Sequence, residues 1–254
     1  MDPNEIEEKK PDSNDLPLLD HLEELRQRLI RVFATILIFS IVAYIFSDKL
    51  VDILVKPVGT AYFREPTGAF MVRIKMAAFC GIVASVPVIL YHFWKFVVPG
   101  LYERESKYLF PIIIFGTLFF FGGAAFCFFL VMPIAMTFLT EYGTETLKPL
   151  IDIKEYFSFV FWLCLAFGAV FELPIIAFFL GKLGIINSRF LAKGRRYAVV
   201  LILVLGMVLT PPDMFSQLML AIPLYLLYEI SIIVVKLTGR REKREDETQS
   251  TRVE

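Results

Sequence analysis

Uncharged stretches long enough to cross a bilayer alternate with short charged connections along most of the chain. They lie between Arg31 and Asp48, Lys75 and Lys95, and Lys107 and Glu141, then run from Tyr156 to Gly181, Tyr197 to Pro212 and Met214 to Val235. A span needs about 20 apolar residues, and charge is what hydrocarbon excludes. The pattern therefore predicts six transmembrane helices, the fourth and sixth each interrupted once, by Glu172 and Glu229. The third stretch exceeds one span, so a loop portion is expected near Thr137 to Tyr142. Before the first stretch, Leu22, Leu25 and Leu29 recur at helical spacing, with Asp20 and Glu23 placed as in a capping box. That predicts an amphipathic helix over 18–31 lying at the membrane face. The expected fold is all-α and polytopic: a polar tail over 1–17, a transmembrane domain over 18–238 and a charged tail over 239–254.

An even number of spans puts both termini on one side. Lys and Arg crowd the N-terminal segment, the second and fourth connections and the C-terminal tail, roughly 19 against 7, which marks that side as cytoplasmic. The residues before the first span are polar and charged, so no cleavable signal peptide is expected there. Pro87, Pro111, Pro133, Pro174 and Pro223 fall inside spans. Each removes a backbone donor and favours a kink, and kinked helices make a cupped bundle with a concave face. The fifth and sixth spans are short and joined by Thr210-Pro211-Pro212-Asp213. Either the bilayer thins at this hairpin or its partners tilt.

Composition agrees with a membrane protein, with 57% hydrophobic and 20% charged residues and a mean hydropathy of +0.64. Formal net charge is zero, so nothing points to nucleic acid. Cys80, Cys127 and Cys164 sit in apolar stretches without a CxxC pair and read as small hydrophobes. With only His21 and His92, there is no HExxH, no metal cluster and no His-based triad, and no GxxxxGK[ST] loop is present. No catalytic residue, metal or cofactor is expected, and any transport work must draw on an external energy source or a partner.

A few polar residues stand out. Glu24 has no capping role; it pairs with Arg28 at i,i+4, or it serves a ligand. Glu105, at the start of the third span, is favoured by the helix dipole, or converges with Glu24 at the interface. Two placed carboxylates select a ligand with two guanidinium groups, because each carboxylate meets a planar fork that Lys cannot reproduce. Glu172 lies near mid-bilayer, where an ionisable group costs about 2.5–3.5 kcal/mol to insert. It is functional, or a neutral acid hydrogen-bonded to a neighbouring helix. Glu229 pairs with the basic end after Lys236, and Gln217 and Thr210 are neutral groups of the kind that join helices in membranes.

HLEELRQRL (21–29), VPVILYHFWKFVVPGLYERE (86–105), FGAVFELP (167–174) and MVLTPPDMFSQLMLAIPLYLLYEISI (207–232) together resemble the TatC family, the polytopic core subunit of the twin-arginine protein translocase. One departure is Gly68, where many relatives have an acid, so no acidic role is carried over to that loop. The resemblance implies a cupped six-helix protein of the inner membrane that recognises the two arginines of signal peptides on folded proteins. It implies that Glu24 and Glu105 contact the arginine pair, with Arg26, Pro99, Leu101, Tyr102 and Glu103 shaping that site. It implies that Glu172 faces the concave side, and that Met207, Thr210 and Gln217, with Asp213 in the outer loop, belong to the region where single-span TatA and TatB subunits dock in an oligomeric complex. The family runs on the proton motive force. The competing reading is a proton-coupled transporter of a small solute with Glu172 as proton carrier, against which stands the lack of a visible inverted repeat.

Overall fold

The computed structural model describes residues 16–97, 109–141, 150–209 and 214–250. Among them the regular elements are helices, apart from one isolated bridge. They are α1 (Leu16–Ile45), α2 (Ser47–Val55), α3 (Gly68–Val97), α4 (Leu109–Phe126), α5 (Met132–Glu141), α6 (Ile153–Phe171), α7 (Leu173–Lys182), α8 (Ser188–Leu209) and α9 (Met214–Ser250), with one π turn, Cys127–Val131, between α4 and α5. Five stretches are long and apolar enough to cross a membrane: Leu22–Ile45, Gly68–Phe96, Phe110–Glu141, Ile153–Lys182 and Gln217–Thr238. The remaining expected span is α8. Its first turns hold Arg189, Lys193, Arg195 and Arg196, so only the part from Tyr197 onward is apolar, and it packs along α9 as the other arm of a hairpin. The fold is the expected all-α, six-helix polytopic bundle.

Two expectations change. The segment over 18–31 is not a separate helix lying on the membrane face but the first half of α1, continuous with the first span. No Gly or Pro interrupts the chain between Leu18 and Ile45, so hydrogen bonding propagates without a break. Its Leu22, Leu25 and Leu29 are exposed. The predicted loop near Thr137 is instead helical to Glu141, with the Thr137 and Thr140 hydroxyls donating back to the Pro133 and Met136 carbonyls at 2.9 and 2.8 Å. α9 runs on to Ser250, so the part of the charged tail over 239–250 is helical. The polar tail expected over 1–17 lies almost wholly outside the described residues.

The prolines act in different ways. Pro87 and Pro223 sit inside unbroken helices. Pro133 follows the π turn: its missing donor and its ring, which would strike the carbonyl four residues back, are what a local i→i+5 turn relieves, and the Met132 N–H donates to Cys127 O. Pro174 splits the fourth span into α6 and α7, with Glu172 as the residue between them.

The end where α1 begins, α3 ends and α9 leaves the bundle is called inner after the side that the Lys and Arg bias marks as cytoplasmic, and the opposite end outer. At the outer end the first and second outer connections are clasped together. The Tyr62 N–H donates to Ile151 O at 2.9 Å and the Ile153 N–H to Tyr62 O at 2.8 Å. Asp152 caps α6 by accepting from the Lys154 N–H at 2.8 Å and also meets Arg64 at 3.5 Å. The Tyr156 hydroxyl, buried, donates to Leu54 O of α2 at 3.0 Å. Above this clasp lies the larger hydrophobic cluster, which includes Val72, Met76, Cys127, Met132, Leu163, Phe167 and Leu220. A second, smaller cluster at the inner half joins Trp94, Ile112, Ile175 and Phe179, with Trp94 edge-on to Phe179 at 4.8 Å between centroids. In lipid, helices associate by close packing rather than by hydrophobic exclusion. One close approach is Gly81 of α3 against the Ser40 backbone of α1, where an added Cβ would come within 2.7 Å of Ser40 N.

Candidate functional site

Glu24 and Arg26 stand in the first turns of α1, at the start of the long apolar stretch Leu22–Ile45. Glu24 is half-exposed, its side chain 47% accessible, and is paired with Arg28 one turn on. Arg28 Nε donates to Glu24 Oε1 at 3.2 Å, and its Nη2 donates to the same oxygen. The third contact crosses helices: Arg28 Nη1 donates to the His92 carbonyl of α3 at 3.1 Å. Arg28 is buried by this arrangement, its side chain only 9% accessible. The i,i+4 pairing open in the sequence is therefore formed, and it does more than steady a helix face, because it fixes Glu24 relative to the inner end of α3. Arg26 points to solvent and meets Glu23 at 3.4 Å. His92 precedes Pro99 by seven positions in the sequence, and Pro99, Leu101, Tyr102, Glu103 and Glu105 lie outside the described residues. Sequence reasoning had not singled out Arg28 as a site residue, although its spacing from Glu24 was the available signal; the His92 carbonyl had no signal at all.

Glu172 is buried at 6% exposure, at the break between α6 and α7. Its backbone continues the chain of helical bonds, accepting from the Ile175 and Ile176 N–H groups at 3.0 and 2.9 Å. Pro174 lacks the donor that an unbroken helix would use here, which places the break at this point. The carboxyl group lies across the gap left by Gly116 of α4, where an added Cβ would come within 3.0 Å of both Glu172 Oε2 and Leu90 Cδ1. Neither carboxyl oxygen has a hydrogen-bond partner, and the buried Thr117 hydroxyl beside Gly116 also lacks one. The neutral reading, in which a neighbouring helix supplies the bond, is thus unmet. Glu172 lies between the two hydrophobic clusters, with Phe167 on one side and Ile175 on the other.

In the α8–α9 hairpin, Gln217 turns inward and its Nε2 donates to Leu203 O at 2.8 Å. It acts as the helix-joining group that its type suggests. Met207 instead faces outward, 57% exposed, while Thr210 and Asp213 lie outside the described residues. Glu229 pairs with Arg195 of α8, not with the basic end after Lys236. Arg195 Nε and Nη2 donate to its two oxygens at 2.7 and 2.8 Å, and the Tyr225 hydroxyl donates to Oε1 at 2.8 Å. Nearby, the Tyr228 hydroxyl donates to Leu191 O at 2.8 Å. The forked geometry of Arg195 fits one carboxylate with two parallel bonds, and the hairpin brings together two residues 34 positions apart. No group of three or more His, Cys, Asp and Glu able to hold a metal occurs among the described residues.

Residues 20–223 match the family model for the Sec-independent protein translocase protein (TatC). The TatC of Carboxydothermus hydrogenoformans is 40% identical over 232 residues, 89% of this chain and 96% of that protein. The TatC of Desulforapulum autotrophicum is 37% identical over 91% of this chain and 88% of its own length, and that of Aquifex aeolicus 39% identical over 90% and 98%. A crystal structure of the twin arginine translocase receptor TatC superposes with a TM-score of 0.79 at 38% identity, covering 86% of this chain and 99% of that one. A second, in DDM, gives 0.80 with 85% and 99% covered. These relatives are protein translocase components, which sets aside the small-solute transporter. Matched by the family model over most of its length and by relatives and solved structures at 37–40% identity, this chain belongs to the TatC family.

Proposed function

We propose that this subunit of the Sec-independent protein translocase is its receptor and scaffold, binding two consecutive arginines in the signal peptides of folded proteins. The observation that carries the reading is a half-exposed carboxylate, Glu24, fixed at the inner end of α1 by Arg28 and the His92 carbonyl. A carboxylate held in place can meet a planar guanidinium with two charge-assisted bonds. Glu105 is proposed as the second carboxylate, with Arg26, Pro99, Leu101, Tyr102 and Glu103 bordering the peptide. Both termini are cytoplasmic in this reading, the membrane is the inner membrane, and transport is driven by the proton motive force without hydrolysis. TatA-type and TatB-type single-span subunits dock at the α8–α9 hairpin, where outward-facing Met207 is the described candidate contact and Thr210 and Asp213, outside the described residues, follow it in the sequence. Glu172 faces the cargo or partner side.

The test is binding of a labelled Arg-Arg signal peptide to the full chain in detergent. Glu24→Ala and Glu105→Ala are expected each to abolish binding while the protein still inserts and keeps its thermal midpoint. Retained binding in both variants overturns the carboxylate assignment.

A further inference from the structure

The first turns of α8 carry three cations outside the proposed peptide site. Arg189, Lys193 and Arg196 recur at i, i+4 and i+7, which sets them in one line along the helix. All three are exposed, and no acidic side chain among the described residues pairs with any of them. Glu229, which faces α8 from α9, is taken by Arg195 through two bonds and by the Tyr225 hydroxyl. The partner of Arg196 is neutral: its Nη2 donates to the Tyr197 hydroxyl at 2.9 Å, and its guanidinium lies 4.7 Å from the ring centroid. Exposed Phe190 and Tyr197 flank the cations, and aromatic residues of this kind favour membrane interfaces. The same line continues toward the outer end as exposed Val200 and Val204. Beside it, Val199, Leu203, Ala221, Ile222 and Leu226 help to line an apolar groove of about 330 Å³ between α8 and α9. The α8 wall of that groove leads back to Arg196, one turn before Val199.

We propose that this face binds one anionic phospholipid, with its phosphate against Arg189, Lys193 and Arg196 and an acyl chain in the α8–α9 groove. A bias of Lys and Arg marks a side of the membrane, but it does not require unpaired cations in line above an apolar trough. Uncompensated charge at the level where apolar exposure begins attracts a phosphate. Arg offers that phosphate a fork of N–H groups and Lys a point charge. Long basic side chains keep their stems on the helix and their heads in the headgroup layer. A zwitterionic lipid brings a cation of its own to the cluster, where three like charges repel it, so the site selects headgroups of net negative charge. The groove adds what a free phosphate lacks, an apolar chain buried against Leu203 and Ile222. Met207, the proposed partner contact, lies nearer the outer end of the same helix, so lipid and subunit occupy different parts of α8.

The experiment titrates the full chain in detergent with fluorescent-tailed phosphatidylglycerol and, separately, with phosphatidylcholine carrying the same tail. Phosphatidylglycerol is expected to bind more tightly. Each basic residue near a headgroup contributes about fivefold to that preference. The double variant of Lys193→Gln and Arg196→Gln is therefore expected to cut it by about tenfold or more. The double variant of Lys49→Gln and Lys56→Gln makes the same change of charge at the outer end and is expected to leave the preference in place. An equal cut in both shows attraction by charge in general and overturns the proposal. No preference in the unaltered chain also overturns it and leaves the face to a protein partner. Thermal midpoints in phosphatidylcholine are expected to be unchanged in the Lys193 and Arg196 double variant, and a fall there without loss of lipid preference assigns the cations to the fold and overturns the site. Ile222→Trp fills the groove and is expected to weaken both lipids while keeping their ratio; unchanged affinity for both overturns the part given to the acyl chain. Inorganic phosphate at the same concentration is expected not to displace phosphatidylglycerol, and displacement overturns the lipid assignment in favour of free phosphate.

Discussion

Gly81→Ala is expected to part α1 from α3. α1 packs chiefly on α3, and this glycine sits where the two backbones run close together. An added Cβ would overlap Ser40 Oγ outright and come within 2.7 Å of Ser40 N and 2.8 Å of Ser40 Cα. The hydroxyl could turn aside, but the backbone of a helix cannot, so the two helices must separate by several tenths of an ångström. The Ser85 hydroxyl, bonded to Gly81 O at 2.6 Å, holds the local turn of α3 and leaves little slack there. Overpacking of this kind costs about 1–3 kcal/mol, which corresponds to a fall in thermal midpoint of about 2–12 °C for a chain of this size. Scanning fluorimetry of the purified protein in detergent reads it. Ser40→Ala in the same chain is expected to recover only part of the loss, since the contacts with N and Cα remain. The separation also draws Arg28 away from the His92 carbonyl, so Arg-Arg peptide binding should weaken in step with the midpoint. An unchanged midpoint in Gly81→Ala, or full recovery by Ser40→Ala, refutes the close-packing argument.

Glu172→Gln keeps the shape of a side chain that has no hydrogen-bond partner and lowers the cost of burial; it should insert normally and leave the midpoint unchanged or raised, yet reduce cargo transport in a reconstituted translocase, and full transport would make Glu172 structural. Gln217→Leu removes the bond to Leu203 O and is expected to lower the midpoint by the equivalent of about 0.6 kcal/mol, the mean for interhelical hydrogen bonds in membranes, with increased α8–α9 mobility detected by spin labels on the hairpin. Tyr156→Phe deletes the bond to Leu54 O at 3.0 Å without changing shape, and should cost about 1 kcal/mol, seen as a lower midpoint and faster proteolysis in the first outer connection.

The long apolar stretches could be read from the sequence because lipid imposes a one-letter code on them: charges are excluded and length is fixed. What that code omits is continuity. The pattern of Leu22, Leu25 and Leu29 with its charges is the same whether the helix lies flat or runs straight into the span, and nothing in the spacing chooses. α2 was missed for a related reason: Leu50, Val51, Leu54 and Val55 repeat at helical spacing inside a charged connection, too short to stand out against its flanks. At the site, Glu24 with Arg28 was visible because the pair is local. Arg195 with Glu229 was not, because its two halves meet only when the hairpin closes. Gln217 was placed by its chemical type, and the same type explains why it faces the neighbouring helix rather than lipid. The missing partner for Glu172 is a property of three helices at once, and no single stretch of sequence contains it.

The π turn before Pro133 changes the phase of the third span. Each residue advances a helix by about 100°, so accommodating one extra residue turns everything after it by that angle relative to an unbroken α-helix. Before the turn, Ile112 and Phe120 follow an inward line that reaches Cys127, its first residue; at its end Val131 and Met132, adjacent in sequence, are both buried, and Ala135 continues inward. The outer third of the span thus points its buried side in a direction the inner two thirds could not have supplied. A single helix in this way serves two differently oriented packing surfaces, α6 along most of its length and the outer cluster near its end. Restoring regular winding there would aim the chain's last inward residues at lipid and leave the clasped outer end without its filling.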